Sequence, residues 1–319
     1  MEVKGILGAI GNTPLIKLEN VFKEKRFSLF LKMEGMNPGG SAKDRSAYSM
    51  IMNAIKEGKI TKDTVIIESS SGNLAIALAQ ICCYLHLRLI CVIDAKTTTQ
   101  NIKLIKAYGA EIVCITEPDP VTNEFLKARI DKVNQLLQEI PNSYRPNQYT
   151  NINNPKGHQI VIKEISEQLN KNIDYLFCAA STCGTLRGYV EYIRMNQLKT
   201  EVIAVDAVGS VIFGDTRKKR LIPGLGAAVV PGLFQEDLAN RYIHVSDLDC
   251  VKGCRKLLYS EAILAGGSTG ANLSAIMKME KEIPDNSTCV MVMHDNGERY
   301  LETIYSDEWV QEHFGDIAL

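Results

Sequence analysis

Residues 64–85 read TVIIESSSGNLAIALAQICCYL, in which a short apolar run, a small polar turn and a longer apolar run follow one another. Thr64–Glu68 is rich in β-branched residues, which predicts a buried strand, and Asn73–Leu85 is long enough to form a buried helix. Ser69-Ser70-Ser71-Gly72 lies between them and suits the start of a helix. The stretch therefore predicts one strand-to-helix step of a parallel sheet.

The same alternation continues through the rest of the chain. Further strands are predicted at Phe27–Met33, Arg88–Ile93, Glu111–Ile115, Tyr175–Ala179, Glu201–Asp206, Arg241–Val245 and Cys289–His294. Helices are predicted at Ala42–Glu57, Thr98–Tyr108, Asn123–Glu139, Pro155–Leu169, Thr185–Met195, Asp247–Ser260 and Thr269–Lys281. This pattern indicates an α/β fold of two domains with largely parallel sheets flanked by helices. Residues 140–155 are rich in Pro and Asn and are expected to contain a domain boundary.

The charge balance excludes several classes of partner. The chain has 36 Lys and Arg residues against 37 Asp and Glu residues, a net charge of −1. Proteins that bind nucleic acids or anionic membranes normally carry a basic excess, so neither partner is expected. No run approaches the roughly 18 apolar residues of a membrane-spanning helix, and the N-terminal sequence lacks the pattern of a signal peptide. We therefore expect a cytoplasmic protein that acts on small molecules.

The nine cysteines are an odd number, and most of them lie in apolar segments. This usage is typical of reduced thiols that pack as small apolar side chains, and not of a disulfide framework. Cys250 and Cys254 have a spacing that can hold a metal, but no second pair completes the four ligands of a structural zinc site. No metal site is expected.

One lysine has an unusual position. Residues 37–45 read NPGGSAKDR, so that a Pro-Gly-Gly turn brings Lys43 to the first turn of a predicted helix. The helix dipole disfavours a cation there and lowers the pKa of the amine. A neutral amine is the nucleophilic form that Schiff-base chemistry requires. The alternative interpretation of this segment alone is an exposed lysine that follows a turn.

Two further turns carry polar groups to helix starts. The hydroxyls and the amide of Ser69–Asn73 suit a carboxylate or a ring hydroxyl, although a simple helix cap explains one of the hydroxyls. Ser181–Thr185 offers backbone N–H groups to a phosphate, although many such turns are small and polar for no functional reason. A similar turn, Gly266–Gly270, opens a later helix. Together with the lysine, these turns predict an enzyme that uses pyridoxal 5′-phosphate (PLP) on an amino acid.

These motifs resemble the cysteine synthase/cystathionine β-synthase family, the fold type II PLP enzymes with a tryptophan synthase β-like fold. The matching segments, in chain order, are Ile10–Leu15, Asn37–Arg45, Ser70–Asn73, residues 181–185, Gly267–Gly270 and Gly297–Tyr300. The resemblance covers nearly the whole chain. It implies a homodimer, a smaller domain of residues 36–146 with Lys43 at its edge, and a larger domain of residues 1–35 plus 147–319 that carries the phosphate-binding loop.

The resemblance also implies roles for individual residues. Lys43 would hold PLP covalently and remove the Cα proton of the substrate. Asn73 would bind the 3′-oxygen of the ring, and Ser268 would face the pyridine nitrogen. The cofactor phosphate would be bound by Ser181, Thr182, Cys183, Gly184 and Thr185. The substrate carboxylate would be bound by Ser70, Ser71, Gly72 and Gln148.

The chain departs from the usual cysteine synthase pattern at several positions. Ser181 and Cys183 replace glycines of the phosphate loop, Leu74 replaces a threonine, and residues 215–220 form an Arg/Lys-rich insert. These features resemble most closely a branch that condenses O-phospho-L-serine with L-glutamate. That reaction leads to 2,3-diaminopropionate, a precursor of siderophores and peptide antibiotics. O-Phosphoserine and glutamate are therefore the expected substrates.

Four residues are candidates for binding these anionic substrates. Arg129 suits a forked contact with the phosphate of O-phosphoserine, and Tyr149 and Ser181 suit its remaining oxygens. Arg220 and its basic neighbours suit the carboxylates of glutamate. The alternatives are a solvated helix face for Arg129, packing for Tyr149, a helix cap for Ser181 and a solvated loop for Arg220.

Two other functions stay open on the sequence. The first is a cysteine synthase that uses O-acetylserine or O-phosphoserine with sulfide. The second is a regulatory protein that keeps the fold without catalysis, for which loss of the lysine would be the clearest sign. Because Lys43 is present, the sequence favours an enzyme.

Overall fold

A computed structural model describes residues 5–24, 26–170 and 172–317. Its strands are β1 (Leu15–Leu18), β2 (Ser28–Lys32), β3 (Val65–Ser69), β4 (Leu89–Asp94), β5 (Glu111–Ile115), β6 (Ser143–Tyr144), β7 (Tyr175–Ala179), β8 (Glu201–Ala207), β9 (Arg241–Val245) and β10 (Thr288–Val292). Its α-helices are α1 (Lys43–Lys56), α2 (Asn73–Tyr84), α3 (Thr99–Ala107), α4 (Phe125–Glu139), α5 (Asn153–Leu169), α6 (Gly184–Met195), α7 (Asp247–Glu261), α8 (Gly267–Met279) and α9 (Asp307–Phe314).

The chain divides into two compact units. The first comprises Met1–Ile10 and Asn37–Gly157, and the second comprises Gly11–Met36 and His158–Leu319. The sequence-based boundaries placed residues 1–10 and 147–157 in the larger domain instead. The segment that follows β6 stays with the first unit because β6 pairs with β3 and the N–H of Asn147 binds Glu68.

The first unit is built on a four-stranded sheet in the order β5-β4-β3-β6, in which each pair is parallel. Every residue of β3 and β4 is buried, as parallel strands covered by helices on both faces require. Alternate side chains of β3 enter different cores. Ile66 packs with residues of α1 and α2, whereas Val65 and Ile67 pack with residues of α4.

The second unit is built on a six-stranded sheet in the order β1-β2-β10-β7-β8-β9. β1 runs antiparallel to β2, and the other pairs of this sheet are parallel. The side chains of β7 alternate between two cores, with Phe177 in one and Leu176 and Cys178 in the other. The predicted α/β fold, with two units of largely parallel sheets flanked by helices, is therefore confirmed.

Among the described residues, no helix combines the length and the hydropathy that a bilayer crossing requires.

Candidate active site

Lys43 is the first residue of α1, and its position is fixed by the turn before it. The Gly39 N–H donates to Oδ2 of Asp44 at 2.5 Å, and the N–H of Lys43 donates to Oγ of Ser41 at 3.2 Å. A Cβ at Gly39 would lie 2.6 Å from Oδ1 of Asp44, so this position accepts no side chain without a shift of the carboxylate. The Pro-Gly-Gly turn therefore holds Lys43 at the N-terminus of the helix, where the sequence predicted it.

The polar turn between β3 and α2 has the geometry of an open helix start. Asn73 is the first residue of α2, and no side chain caps the helix at Gly72. Ser70 is buried, and the carbonyl of Ser71 accepts a hydrogen bond from Nδ2 of Asn101 at 3.0 Å. The N–H groups at the start of α2 and the neighbouring hydroxyls form a donor set suited to a carboxylate.

Arg129 reaches this turn from α4. Its Nη1 lies 3.5 Å from Oγ of Ser71, and its Nε lies 3.4 Å from Oδ2 of Asp94. The Arg129 side chain is 15% exposed, so it does not lie on a solvated helix face. The structure thus brings together two of the residues that the sequence analysis selected separately, Arg129 and Ser71.

Gln148 and Tyr149 lie in a second loop of the first unit. The backbone carbonyl of Gln148 accepts a hydrogen bond from Nδ2 of Asn154 at 2.7 Å, and the side chain of Gln148 is buried. Tyr149 is half-buried, and burial raises the pKa of its hydroxyl while the nearby charge of Arg129 opposes that rise. The charge of Arg129 therefore acts on the hydroxyl of Tyr149.

Glu68 links these two loops, and the sequence analysis did not select it. Its Oε1 accepts the N–H of Ser69 at 2.9 Å, and its Oε2 accepts the N–H of Asn147 at 2.6 Å. Nε of Arg145 lies 3.6 Å from Oε1. One feature of the sequence could have identified Glu68, namely that it is the single carboxylate in an otherwise apolar predicted strand. A buried charge requires dedicated hydrogen-bond or ion-pair partners.

In the second unit, residues 181–185 form the start of α6. Cys183 has a φ of 64°, and its own side chain makes no capping hydrogen bond, whereas Oγ1 of Thr182 accepts the N–H of Gly184 at 3.5 Å. The remaining N–H groups of the first turn point out of the helix start. Oγ1 of Thr185 lies 3.3 Å from Nε2 of the buried His158. The positive φ gives Cys183 the left-handed conformation that favours glycine. The donors at this helix start suit a phosphate.

Ser181 and Arg220 meet at the same backbone segment. Oγ of Ser181 donates to the carbonyl of Gly226 at 3.1 Å, and Nη1 of Arg220 donates to the carbonyl of Leu225 at 2.8 Å. A Cβ at Gly226 would lie 2.4 Å from Nη1 of Arg220. Arg220 is half-buried and shares this backbone segment with Ser181, whereas residues 217–219 of the same basic run are exposed.

Ser268 lies in the first turn of α8 and is buried. The start of this helix is closely packed, since a Cβ at Gly266 would lie 1.9 Å from Oδ1 of Asp295. No side chain caps the helix at Gly266. Oγ1 of Thr269 is buried, and no hydrogen-bond partner for it lies among the residues that the structure describes.

The donor groups of the second unit fit PLP. The helix start at the left-handed Cys183 suits the phosphate, and the buried hydroxyl of Ser268 suits a ring nitrogen. A model of the family described as "Pyridoxal-phosphate dependent enzyme" matches residues 6–295. The chain belongs to this family. Its cofactor is therefore PLP, as the sequence predicted.

Solved structures of this PLP-dependent family resemble the chain over almost its full length. A hydrogen sulfide-producing enzyme from Fusobacterium nucleatum is 34% identical, with a TM-score of 0.87 and coverage of 94% of this chain and 99% of that one. An O-acetylserine dependent cystathionine beta-synthase from Helicobacter pylori is 30% identical, with a TM-score of 0.87 and coverage of 96% and 100%. O-Ureido-L-serine synthase is 26% identical, with a TM-score of 0.88 and coverage of 100% and 98%. The chain is thus a PLP-dependent enzyme of the cysteine synthase/β-replacement family.

Proposed function

We propose that the protein is an N-(2-amino-2-carboxyethyl)-L-glutamate synthase, which condenses O-phospho-L-serine with L-glutamate and releases phosphate. The product is a precursor of 2,3-diaminopropionate for siderophores or peptide natural products. The observation that carries the proposal is the approach of Arg129 to Ser71, at 3.5 Å. It puts a guanidinium, the side chain best suited to a phosphate group, beside the turn assigned to the carboxylate of the same substrate.

The residues of the first unit would bind and deprotonate O-phosphoserine. Its carboxylate would lie on the N–H groups and hydroxyls of residues 70–72 and on Gln148. Its phosphate would accept hydrogen bonds from Arg129 and Tyr149. Nζ of Lys43 would hold the cofactor at rest and take the α-proton once substrate is bound.

The residues of the second unit would orient the cofactor. Residues 181–185 would bind its phosphate, with His158 holding the hydroxyl of Thr185, and Ser268 would face its ring nitrogen. Bound PLP supplies the electron-withdrawing ring that makes the α-proton acidic. Asn73 of the first unit would bind the 3′-oxygen of that ring.

The second half of the reaction joins the two amino acids. The bond between the β-carbon and the phosphate oxygen breaks, and phosphate leaves with the electron pair. The neutral amine of glutamate then forms a bond to the β-carbon, and Lys43 returns a proton to the α-carbon. Arg220 and the exposed residues 217–219 would attract the two carboxylates of glutamate. The active form would be a homodimer.

A second candidate is a cysteine synthase that uses sulfide. It is favoured by the 28% identity to an O-acetyl serine sulfhydrylase from Entamoeba histolytica. Sulfide carries no carboxylate, so it would make no forked contact with the guanidinium of Arg220.

The deciding experiment supplies the PLP-loaded enzyme with O-phosphoserine alone, with glutamate, and with sulfide, and measures phosphate release and product mass. We expect phosphate release that depends on glutamate and a product with the mass of the condensed amino acids. Release that does not depend on glutamate, or preferential formation of cysteine, would contradict the proposal. O-Acetylserine in place of O-phosphoserine tests the leaving group in the same way.

A further inference from the structure

One face of α7 carries an unusual stripe of residues. Lys252, Lys256 and Tyr259 are spaced at i, i+4 and i+7, which places them on the same side of the helix. The opposite side packs Cys250 and Cys254 into the core of the second unit. Two lysines at i,i+4 repel each other, so this arrangement destabilises the helix slightly unless an anion lies between them.

The stripe lines a cavity of about 490 Å³ in the second unit. Lys23, from the connection between β1 and β2, and Arg255 of α7 also line it, and its described lining contains no acidic residue. A cavity of this size is typical of a small-molecule site. The four cationic side chains that line this cavity are therefore suited to a ligand with several negative charges.

The lysines of the cavity have no carboxylate partner in residues 5–24, 26–170 and 172–317. Among the described residues, no carboxylate forms an ion pair with Lys23, Lys252 or Lys256. Arg255 is the buried member of the lining, with a side chain that is 4% exposed, and its Nη1 pairs with Asp307. Its Nη2 has no hydrogen-bond partner in the described part of the chain.

Apolar side chains accompany these charges. Tyr259 is 75% exposed and Met277 of α8 is 41% exposed, and both line the cavity. Small-molecule sites are lined mainly by apolar and aromatic side chains with a few polar groups, and these two side chains supply that part of the lining. An aromatic ring such as that of Tyr259 can stack on a flat ligand body.

We propose that this cavity binds an organic phosphate with a flat apolar body, of the class of a nucleoside diphosphate. The phosphates lie against Lys23, Lys252 and Lys256, and the flat body packs on Tyr259 and Met277. This site is separate from the residues assigned to PLP and to the substrates, and the proposal does not depend on which β-replacement reaction the enzyme catalyses.

The test is titration calorimetry of the PLP-loaded enzyme with ADP. Pyrophosphate, which has the phosphates without the nucleoside, and adenosine, which has the nucleoside without phosphates, are titrated separately. We expect ADP to bind at least tenfold more tightly than either probe, with an affinity that falls as salt is raised. Equal binding of pyrophosphate would overturn the assignment of the flat body. Absence of ADP binding at millimolar concentration would overturn the site.

Three variants, two of which reverse a charge, locate the binding. Lys252→Glu is expected to weaken ADP binding at least tenfold, and Tyr259→Ala to weaken ADP binding without changing the binding of pyrophosphate. Lys62→Glu, an exposed lysine of the first unit, makes the same change in net charge and is expected to leave ADP binding within twofold. Equal losses in Lys252→Glu and Lys62→Glu would show non-specific attraction and would overturn the proposal.

Sedimentation of the same variants separates a ligand site from a protein interface. A ligand site predicts that Lys252→Glu has the oligomeric state of the unmodified protein. A change of oligomeric state in this variant, with none in Lys62→Glu, would assign the cavity to a contact between subunits instead.

Discussion

The carboxylate of Glu68 accepts a hydrogen bond from the backbone N–H of Asn147 at 2.6 Å, across 79 residues of sequence. Its other oxygen accepts the N–H of Ser69 at 2.9 Å. One buried side chain therefore fixes the start of the 69–73 turn relative to the loop that carries Gln148 and Tyr149. These two segments contain most of the residues that we assign to the O-phosphoserine carboxylate and phosphate.

Glu68→Gln is expected to impair catalysis through the positions of these loops. A glutamine has one oxygen and an NH₂ group, so it cannot accept both N–H bonds, and one of the two loops loses its anchor. Because small displacements of substrate-positioning groups have large kinetic effects, kcat/KM for O-phosphoserine should fall at least about tenfold. PLP content, measured by absorbance, should be unchanged. A variant with full kcat/KM would contradict this positioning role.

The protonation of Glu68 also predicts a pH dependence of stability. Burial raises the pKa of Glu68 above its ordinary 4.5, and Arg145 and the two N–H donors oppose that rise. A carboxyl whose pKa is higher in the folded state stabilises the fold at low pH and loses that contribution as pH rises from about 4.5 through the folded-state value. Urea denaturation should therefore show wild-type stability falling relative to that of Glu68→Gln across this range. A difference that stays constant or grows with pH would contradict the raised pKa.

Arg129→Lys tests the assignment of the substrate phosphate. A lysine keeps the charge but loses the forked donor geometry, so KM for O-phosphoserine should rise about tenfold while KM for O-acetylserine changes little. The matched control is Lys127→Ala, an exposed lysine on the same helix that pairs with Asp131. Steady-state kinetics with both substrates provide the measurement. Equal effects on the two substrates would indicate a role in folding the loop and not in phosphate recognition.

Much of this architecture could be predicted because hydrophobic pattern decides it. The eight predicted strands and eight predicted helices are all present, and β5, β7 and β9 have the predicted ends. β1, β6 and α9 were not predicted. β6 has two residues and β1 has four, too few for a periodic pattern, and their pairing with β3 and β2 depends on the sheet that receives them.

The candidate site was less predictable than the fold. Motifs with characteristic turns, such as those at Lys43 and Asn73, can be recognised locally. The contact of Arg129 with Ser71 and the bonds of Glu68 join residues 58 and 79 positions apart. Such pairs are set by the order of the strands in the sheet, which local sequence does not specify. Arg220 belongs to a basic run whose other members, residues 217–219, are exposed. Its guanidinium nevertheless donates to the backbone carbonyl of Leu225 and is half-buried, which the sequence did not indicate.

Lys43→Ala should remove both turnover and the covalent attachment of PLP. An alanine has no amine to bond the cofactor or to accept the α-proton. Borohydride reduction followed by mass spectrometry should find PLP on the peptide that contains Lys43 in the unmodified protein and on no peptide in the variant. The matched control is Lys56→Ala, an exposed lysine in the last turn of the same helix, which should keep full activity. Labelling of another lysine in the unmodified protein would contradict the assignment.

The thiols should differ sharply in reactivity. The nine cysteines are thiols that form no disulfide among the described residues, and Cys83 and Cys114 are exposed whereas the other seven are buried. Burial raises the pKa of Cys183 to about 12, and it raises the pKa of Cys254 and of Cys289 to about 12 as well. Because the thiolate is the reactive form, these buried thiols are almost entirely protonated at pH 8 and are also shielded from the reagent.

Iodoacetamide at pH 8 should therefore modify two cysteines of the native protein, Cys83 and Cys114, and all nine after denaturation in urea. Peptide mass spectrometry identifies the modified positions. The double variant Cys83→Ser/Cys114→Ser should take up no label while it remains folded, and its activity should match that of the unmodified protein because neither residue has a role in the proposed site. Rapid labelling of Cys183 in the native protein would show that the start of α6 opens to solvent, contrary to its buried position.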